Sequence, residues 1–210
     1  AEFPVATLIM AKHQTAGRGR GGHTWEDEAG TCFLTTWTLE LDEGAPDPRW
    51  TLGIGLYLFE ALSEAFKSIR FSMKAPNDIY IGDKKVGGIL VEATNEGDSH
   101  FLHVGVGLNV FSYPAEHAQI ATHLNAYLGA SSLTPETFGH FVEYFGSRLM
   151  SVERRAVDSE KAKKPWLTKL SPRLTEALNR HIAYAENPVK QVEADGSLTL
   201  MKGKIPWQQL

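Results

Sequence analysis

Cysteine is nearly absent from this chain: Cys32 is the only one among 210 residues. That excludes an internal disulfide framework and any site built on paired thiolates, and it fits a reducing compartment, so a cytoplasmic location is expected. Long apolar runs are missing too. Charged or polar residues interrupt each one within about ten positions, short of the ~20 that a membrane-spanning helix needs. No basic segment followed by an apolar one opens the chain, so no secretory leader is read. Positive charge is not in excess either: 21 Lys and Arg stand against 25 Asp and Glu, a formal net charge of −4. A protein whose main task is to coat nucleic acid would carry the opposite sign, because such binding rests on cation–phosphate contacts. The eight histidines form no HExxH-like spacing. His100 and His103 are three apart on an expected strand and point to opposite faces, so no dedicated metal ligands are expected.

What is present describes one globular domain. Apolar residues make up 42% and charged residues 22%, and a chain of this size should bury roughly 70% of its unfolded surface without a metal or disulfide staple. The apolar, β-branched run Val5 to Ala11 is expected as a buried strand, feeding a glycine-rich loop from Gly17 to Gly22. Cys32 to Leu41 alternates and reads as a second strand. Leu52, Leu56, Phe59, Leu62, Phe66 and Ile69 recur at steps of three and four, predicting an amphipathic helix that flanks a sheet. Short apolar segments at 71–73, 79–81, 86–93 and 101–106, with turn signals at Gly82-Asp83 and Glu96-Gly97-Asp98, predict an antiparallel meander. Thr134-Pro135 supplies an N-cap and a first-turn proline for a helix carrying Phe138, Phe141, Phe145 and Leu149. Ser159 to Ile182 is basic with a helical pattern that Pro172 is expected to break. The tail from Val189 to Leu200 carries an Asp195-Gly196 hairpin signal. The fold class is therefore α+β: a mixed, largely antiparallel sheet flanked by helices, with a small β remnant at the C-terminus.

Three segments could carry chemistry. In Gln14-Thr15-Ala16-Gly17-Arg18-Gly19-Arg20-Gly21-Gly22, glycines let backbone N–H groups converge on an anion while two arginines add fixed positive charge and bidentate donors. It matches neither the GxxxxGK[ST] nor the GxGxxG spacing. A solvated basic loop is the competing reading; an RGG-type nucleic-acid tract is disfavoured by its single copy in an acidic chain. Lys74-Ala75-Pro76-Asn77-Asp78 forms a rigid polar corner, or an ordinary turn, before Lys84-Lys85-Val86-Gly87-Gly88-Ile89-Leu90-Val91-Glu92, whose glycines would let a ligand approach the backbone. Gly105-Val106-Gly107-Leu108-Asn109 ends a strand, as a bulge, a close-packed end or a ligand contact.

Taken together, in this order and spacing, these segments resemble the biotin protein ligase family, also called biotin–acetyl-CoA-carboxylase ligases, over Val5 to Leu128. Ala121-Thr122-His123-Leu124 looks like that family's ATSL segment. The resemblance implies a biotin/lipoate ligase-like catalytic domain over 1–182 and a reduced C-terminal β appendage over 183–210. It implies ATP- and Mg²⁺-dependent conversion of biotin to biotinyl-5′-adenylate, then transfer to a lysine of a biotin carboxyl carrier domain. In that pattern Lys85 matches the catalytic lysine, with Arg18 beside the activated carboxylate. Gln14, Gly17, Arg18, Gly19, Arg20, Lys85, Gly88 and Leu90 match biotin-contacting positions. Arg20, Trp25, Asn77, Asp78 and Asn109 match ATP-contacting ones, and Mg²⁺ would arrive with ATP. Departures accompany the match. The family's Ser-Thr-Asn segment is not among the 16 residues before Gly17, Ala75 stands where the family has Trp, and His23 replaces a frequent arginine. They keep a second expectation open, a ligase-like protein that binds biotin, lipoate or octanoate without efficient transfer. No nucleic-acid partner and no membrane partner are expected, and a homodimer is left open.

Overall fold

The computed structural model describes residues 6–41, 47, 49–128, 133–152 and 166–210. Six strands, β1 (Ala6–Ala11), β2 (Cys32–Leu41), β3 (Phe71–Lys74), β4 (Asp78–Ile81), β5 (Lys84–Glu96) and β6 (Ser99–Asn109), form one sheet in the order β1-β2-β6-β5-β4-β3. Every pairing between these strands is antiparallel. The expected meander is β3 to β6, and its tight turns fall at Gly82 and Gly97, both with positive φ of 62° and 61°. Glycine occupies the left-handed region at little cost, which is why those turns can be short.

Alternation along the strands divides the sheet into two unlike faces. Phe33, Trp37, Leu39, Leu102, Val104, Val106 and Ile89 line one face and join the aromatic and aliphatic core. Helix α1 (Trp50–Ala65) lies on that face and is buried on nearly every side from Thr51 to Phe59. The period-3.6 reading made it amphipathic. It is instead walled in by the sheet, by α2 (Pro135–Leu149) and by α3 (Trp166–Asn179), so its outward positions are apolar as well. Gly53 permits the closest of these contacts, since a Cβ there would stand 2.3 Å from the Trp166 ring. Helix α2 begins as expected: the Thr134 hydroxyl accepts from the Thr137 N–H, with Pro135 at the first helical position. It sets Phe141 and Phe145 edge-on against Phe33 and Trp37 at 5.5 and 5.8 Å.

Two expectations about these elements do not hold. The first strand is not buried. It pairs only with β2, at the sheet edge, leaving Ile9 59% and Met10 63% exposed; Val5 lies outside the described residues. Pro172 does not break its helix. α3 runs through it because Leu167, Leu170, Leu174, Ala177 and Leu178 are all buried on one face, a gain larger than the ~3 kcal/mol proline penalty. The part of this segment before Trp166 lies outside the described residues. The expected C-terminal hairpin forms between β7 (Val189–Val192) and β8 (Leu198–Leu200), and β9 (Lys204–Ile205) extends it to a three-stranded sheet. Val189, Val192 and Leu198 belong to the main core cluster, and the Ser171 hydroxyl accepts from the Val192 N–H. Among the described residues, no helix is long and apolar enough to cross a membrane.

Phe141→Ala should cost about 3–5 kcal/mol of unfolding free energy in urea titrations, the range for removing a fully buried ring. A second expectation concerns His181. Only 4% exposed, its Nδ1 accepts the Ala183 N–H, and its protonation is disfavoured by burial and then by Lys74. Its folded pKa lies below its unfolded value of about 6.5, so its contribution is complete above that pH and is lost as pH falls below it. His181→Gln should flatten the decline of stability between about pH 7 and 5 that the unmodified chain shows; an unchanged slope would contradict this origin.

Candidate active site

The sheet's other face is where the candidate residues converge. Gly88 is paired with Gly107, and one step along the strands Leu90 is paired with Gly105. All lie on the face opposite α1, so the two central strands carry almost no side-chain bulk there. Trp25 fills part of the gap left by Gly107: a Cβ at that position would meet the indole at 2.7–2.9 Å. The remainder is a cavity of about 800 Å³ floored by these glycines.

The glycine loop roofs the cavity and is not a free tail. Gly19 N–H donates to the His23 carbonyl at 2.7 Å and Trp25 N–H to the Gly17 carbonyl at 3.0 Å. Asp27 anchors the base, bonding the His13 ring at 2.9 Å and accepting from the Gln14 N–H at 3.1 Å. Gly21 and Gly22 take positive φ values of 67° and 83° in the tight turn. This backbone closure contradicts a merely solvated loop. It presents Arg18 and Arg20 to the cavity. The Arg18 guanidinium donates to the Glu92 carboxylate on β5 at 2.8 Å, crossing the cavity mouth. Arg20 lies over the Trp207 ring, 5.4 Å from its centroid, tying the loop to the C-terminal sheet.

Lys85 comes from a register shift between β4 and β5 at Ile79 and Tyr80, the kind of bulge that redirects a side chain. Its backbone is held from outside the sheet, donating to the Ile120 carbonyl and accepting from the Thr122 N–H, both at 2.8 Å. Its ammonium sits 2.7 Å from Asp78 Oδ1 and 5.9 Å from the Trp25 ring centroid. The polar corner before it is equally fixed: Asn77 Nδ2 donates to the Ile89 carbonyl at 2.8 Å, and Ile89 N–H returns to the Asn77 carbonyl. Four cationic side chains, Arg18, Arg20, Lys74 and Lys85, line the cavity against two carboxylates, Asp78 and Glu92. In a chain of net charge −4, this is a local excess of positive charge suited to an anion.

Of the residues singled out from sequence, Gln14, Arg18, Gly19, Arg20, Trp25, Asn77, Asp78, Lys85, Gly88 and Leu90 all line this one cavity. Two do not. Gly17 is beneath the loop, where a Cβ would stand 2.2 Å from the Trp25 carbonyl oxygen; its role is to let the loop close. Asn109 is 5% exposed, donates to the Thr122 carbonyl at 3.0 Å and accepts from the Cys32 thiol, so it braces the end of β6 away from the cavity wall. Burial pushes the Cys32 thiol up, which argues against an activated nucleophile. Sequence reasoning missed Glu92, Thr94 and His103, which also line the cavity. Period-two alternation from Gly88 and Leu90 could have found Glu92 and Thr94. His103 needed the pairing of β6 with β5. Among the described residues, no group of three or more His, Cys, Asp or Glu is placed to hold a metal ion.

A sequence profile described as the biotin/lipoate A/B protein ligase family matches residues 1–109. Biotin–protein ligase 1, chloroplastic, of Arabidopsis thaliana is 34% identical over 142 residues, covering 65% of this chain and 36% of that protein. The bifunctional ligase/repressor BirA of Escherichia coli (strain K12) is 32% identical over 113 residues, covering 52% and 34%. The chain thus spans about a third of the length of these relatives, 36% and 34%. In three dimensions it is similar to the biotin protein ligase from Aquifex aeolicus solved in complex with biotin and ATP, with a TM-score of 0.71 and 23% identity, covering 95% of this chain and 84% of that one. With the profile spanning the glycine loop, the polar corner and both floor strands, the chain belongs to the biotin/lipoate A/B protein ligase family.

Proposed function

We propose that this cavity activates biotin with ATP and passes the biotinyl group to a lysine of a biotin carboxyl carrier domain. The observation that carries the reading is the convergence of Arg18, Arg20 and Lys85 over a floor of glycines. The obstacle to acyl activation is electrostatic, because an anionic carboxylate must approach an anionic phosphate. Preorganised cations lower that barrier where the charge develops. A carboxylate oxygen attacks the α-phosphorus, the bond to the β-phosphate oxygen breaks, and pyrophosphate leaves. The acceptor amine then attacks the acyl carbon, the carbon–oxygen bond to AMP breaks, and the amine's proton is lost to solvent.

Lys85 takes the position between carboxylate and α-phosphate, Arg18 stands beside the carboxylate, and Arg20 faces the phosphates. Gln14, Gly19, Gly88 and Leu90 border the acid, while Trp25, Asn77 and Asp78 border the nucleotide. The name of the Aquifex aeolicus complex, which holds biotin and ATP, supports the two substrates. Mg²⁺ is compatible with these residues: such an ion uses one or two carboxylates with substrate phosphates and water, and Asp78 is the carboxylate at the Lys85 end. There it would neutralise phosphate charge. Residues 1–182 would carry the activation, and 183–210 would brace the loop through Trp207 and Arg20.

Lys85→Ala should lower biotin-dependent pyrophosphate release at least ~100-fold, as loss of a preorganised charge does, while the thermal melting profile stays close to that of the parent. Release within a few-fold of the parent would remove Lys85 from this role.

A further inference from the structure

The polar corner beside Lys85 has a hold that comes from outside the sheet and that the activation chemistry does not use. β3 and β4 last pair at Lys74 and Asp78, so residues 75–77 project past the ladder and their backbone groups need other partners. Pro76 has no N–H to place. The Asn77 carbonyl accepts the Ile89 N–H at 3.1 Å. The Ala75 N–H donates to the Tyr184 hydroxyl at 3.2 Å, from a residue 109 positions away in the chain. Behind the corner α1 comes close at Gly55, where a Cβ would lie 3.5 Å from the Pro76 carbonyl oxygen. Ala75, Pro76, Asn77 and Asp78 all line the cavity, so whatever fixes this backbone fixes that wall.

Tyr184 is itself firmly placed. It is 6% exposed and closes the short turn Ile182–Tyr184, where its N–H donates to the His181 carbonyl at 3.1 Å and His181 Nδ1 accepts the Ala183 N–H at 3.1 Å. The Asn179 side chain clips the connection from α3 to β7, accepting from the Val189 N–H at 2.8 Å and donating to the Val189 carbonyl at 2.9 Å. The His181 ring packs on Tyr80 of β4 with centroids 4.4 Å apart, so this turn grips the strand that Asp78 begins. Burial pushes the Tyr184 phenol up by more than the Ala75 N–H lowers it. The hydroxyl therefore stays protonated at neutral pH, and its hold on Ala75 does not titrate there. Losing it would leave that N–H without its partner, roughly a ten-fold change in a local equilibrium.

We propose that Tyr184 is a positioning residue for the nucleotide: its hydroxyl holds Ala75 so that Asn77 and Asp78 meet ATP from a fixed place. The inference rests on the acid-activating function proposed above, in which those two residues border the nucleotide. It gives the segment after α3 a share in nucleotide affinity separate from the Trp207 contact to Arg20. The effect is selective. Gln14, Arg18 and Gly19, which border the acid, belong to a loop that closes on itself at Gly17–Trp25 and Gly19–His23, and Lys85 takes its backbone bonds from Ile120 and Thr122. Acid binding and turnover at saturating ATP therefore do not depend on the Tyr184 hydroxyl.

The test is biotin-dependent pyrophosphate release by the full chain, with ATP varied at saturating biotin, for the parent, Tyr184→Phe and Ser171→Ala, together with isothermal titration of each with biotin. Ser171→Ala is the control for a structural effect. It removes a hydroxyl that likewise accepts a backbone N–H, that of Val192 at 2.8 Å, from a residue outside the cavity lining. Tyr184→Phe, which keeps the ring, should raise the KM for ATP about five- to ten-fold, the scale of one lost hydrogen bond. Its kcat should stay within about two-fold of the parent, the pattern of a lost binding contact, and its biotin affinity should not change. Ser171→Ala should leave the KM for ATP unchanged even where it melts at a lower temperature. An unchanged KM in Tyr184→Phe, a joint loss of kcat and biotin binding, or an equal rise of KM in Ser171→Ala overturns the positioning role and leaves the acid-activating function standing. A parent that releases no pyrophosphate in response to biotin overturns that function, and this role with it.

Discussion

The pairing of β5 with β6 is the constraint on which the rest depends. With Gly88 opposite Gly107 and Leu90 opposite Gly105, the glycines fall on the face away from the helices, and Ile89, Val104 and Val106 fall into the core. A slip of one residue would exchange the two sets, placing glycines against the α1 layer and aliphatic side chains in the cavity. The aromatic packing of Phe33, Trp37, Phe141 and Phe145 therefore does more than stabilise. By fixing which face is inside, it fixes which face is empty.

Charge is then brought to that face from two directions. The glycine loop arrives from between β1 and β2 with Arg18 and Arg20, and Lys85 from the bulge at the start of β5, while Trp207, just beyond the C-terminal sheet, supports the Arg20 guanidinium. Without substrate the cations are not idle: Lys85 is held by Asp78 and Arg18 by Glu92. Such pairs hold guanidinium and ammonium groups in place at little cost in a half-exposed site, and an arriving carboxylate or phosphate can replace the internal carboxylate as partner.

Much of this was legible along the chain. The meander announced itself through Gly82 and Gly97, helix α2 through Thr134 and Pro135, and most of the cavity wall through three glycine-bearing segments whose residues are close in sequence. What escaped depended on partners distant in sequence. Ile9 and Met10 read as core because nothing local says that β1 is the edge strand. Pro172 read as a helix end because the burial that carries α3 through it comes from α1 and β7. Asn109 read as a ligand contact, yet its amide is taken by the Thr122 carbonyl and the Cys32 thiol. His103 was weighed only as half of a metal pair with His100, whereas β2 and β5 bring Thr38 and Thr94 to its two nitrogens.

The central claim is that the glycine floor beside Lys85 is where acid and nucleotide meet. A crystal structure of the chain grown with biotin and a non-hydrolysable ATP analogue tests it most directly. The account predicts density along β5 and β6, with the biotin carboxylate beside Lys85 and Arg18, the ring system over Gly88, Leu90 and Gly105, and the adenine against Trp25. Density for both ligands elsewhere on the protein, or biotin lying in the reverse direction with its carboxylate away from Lys85 and Arg18, would contradict it.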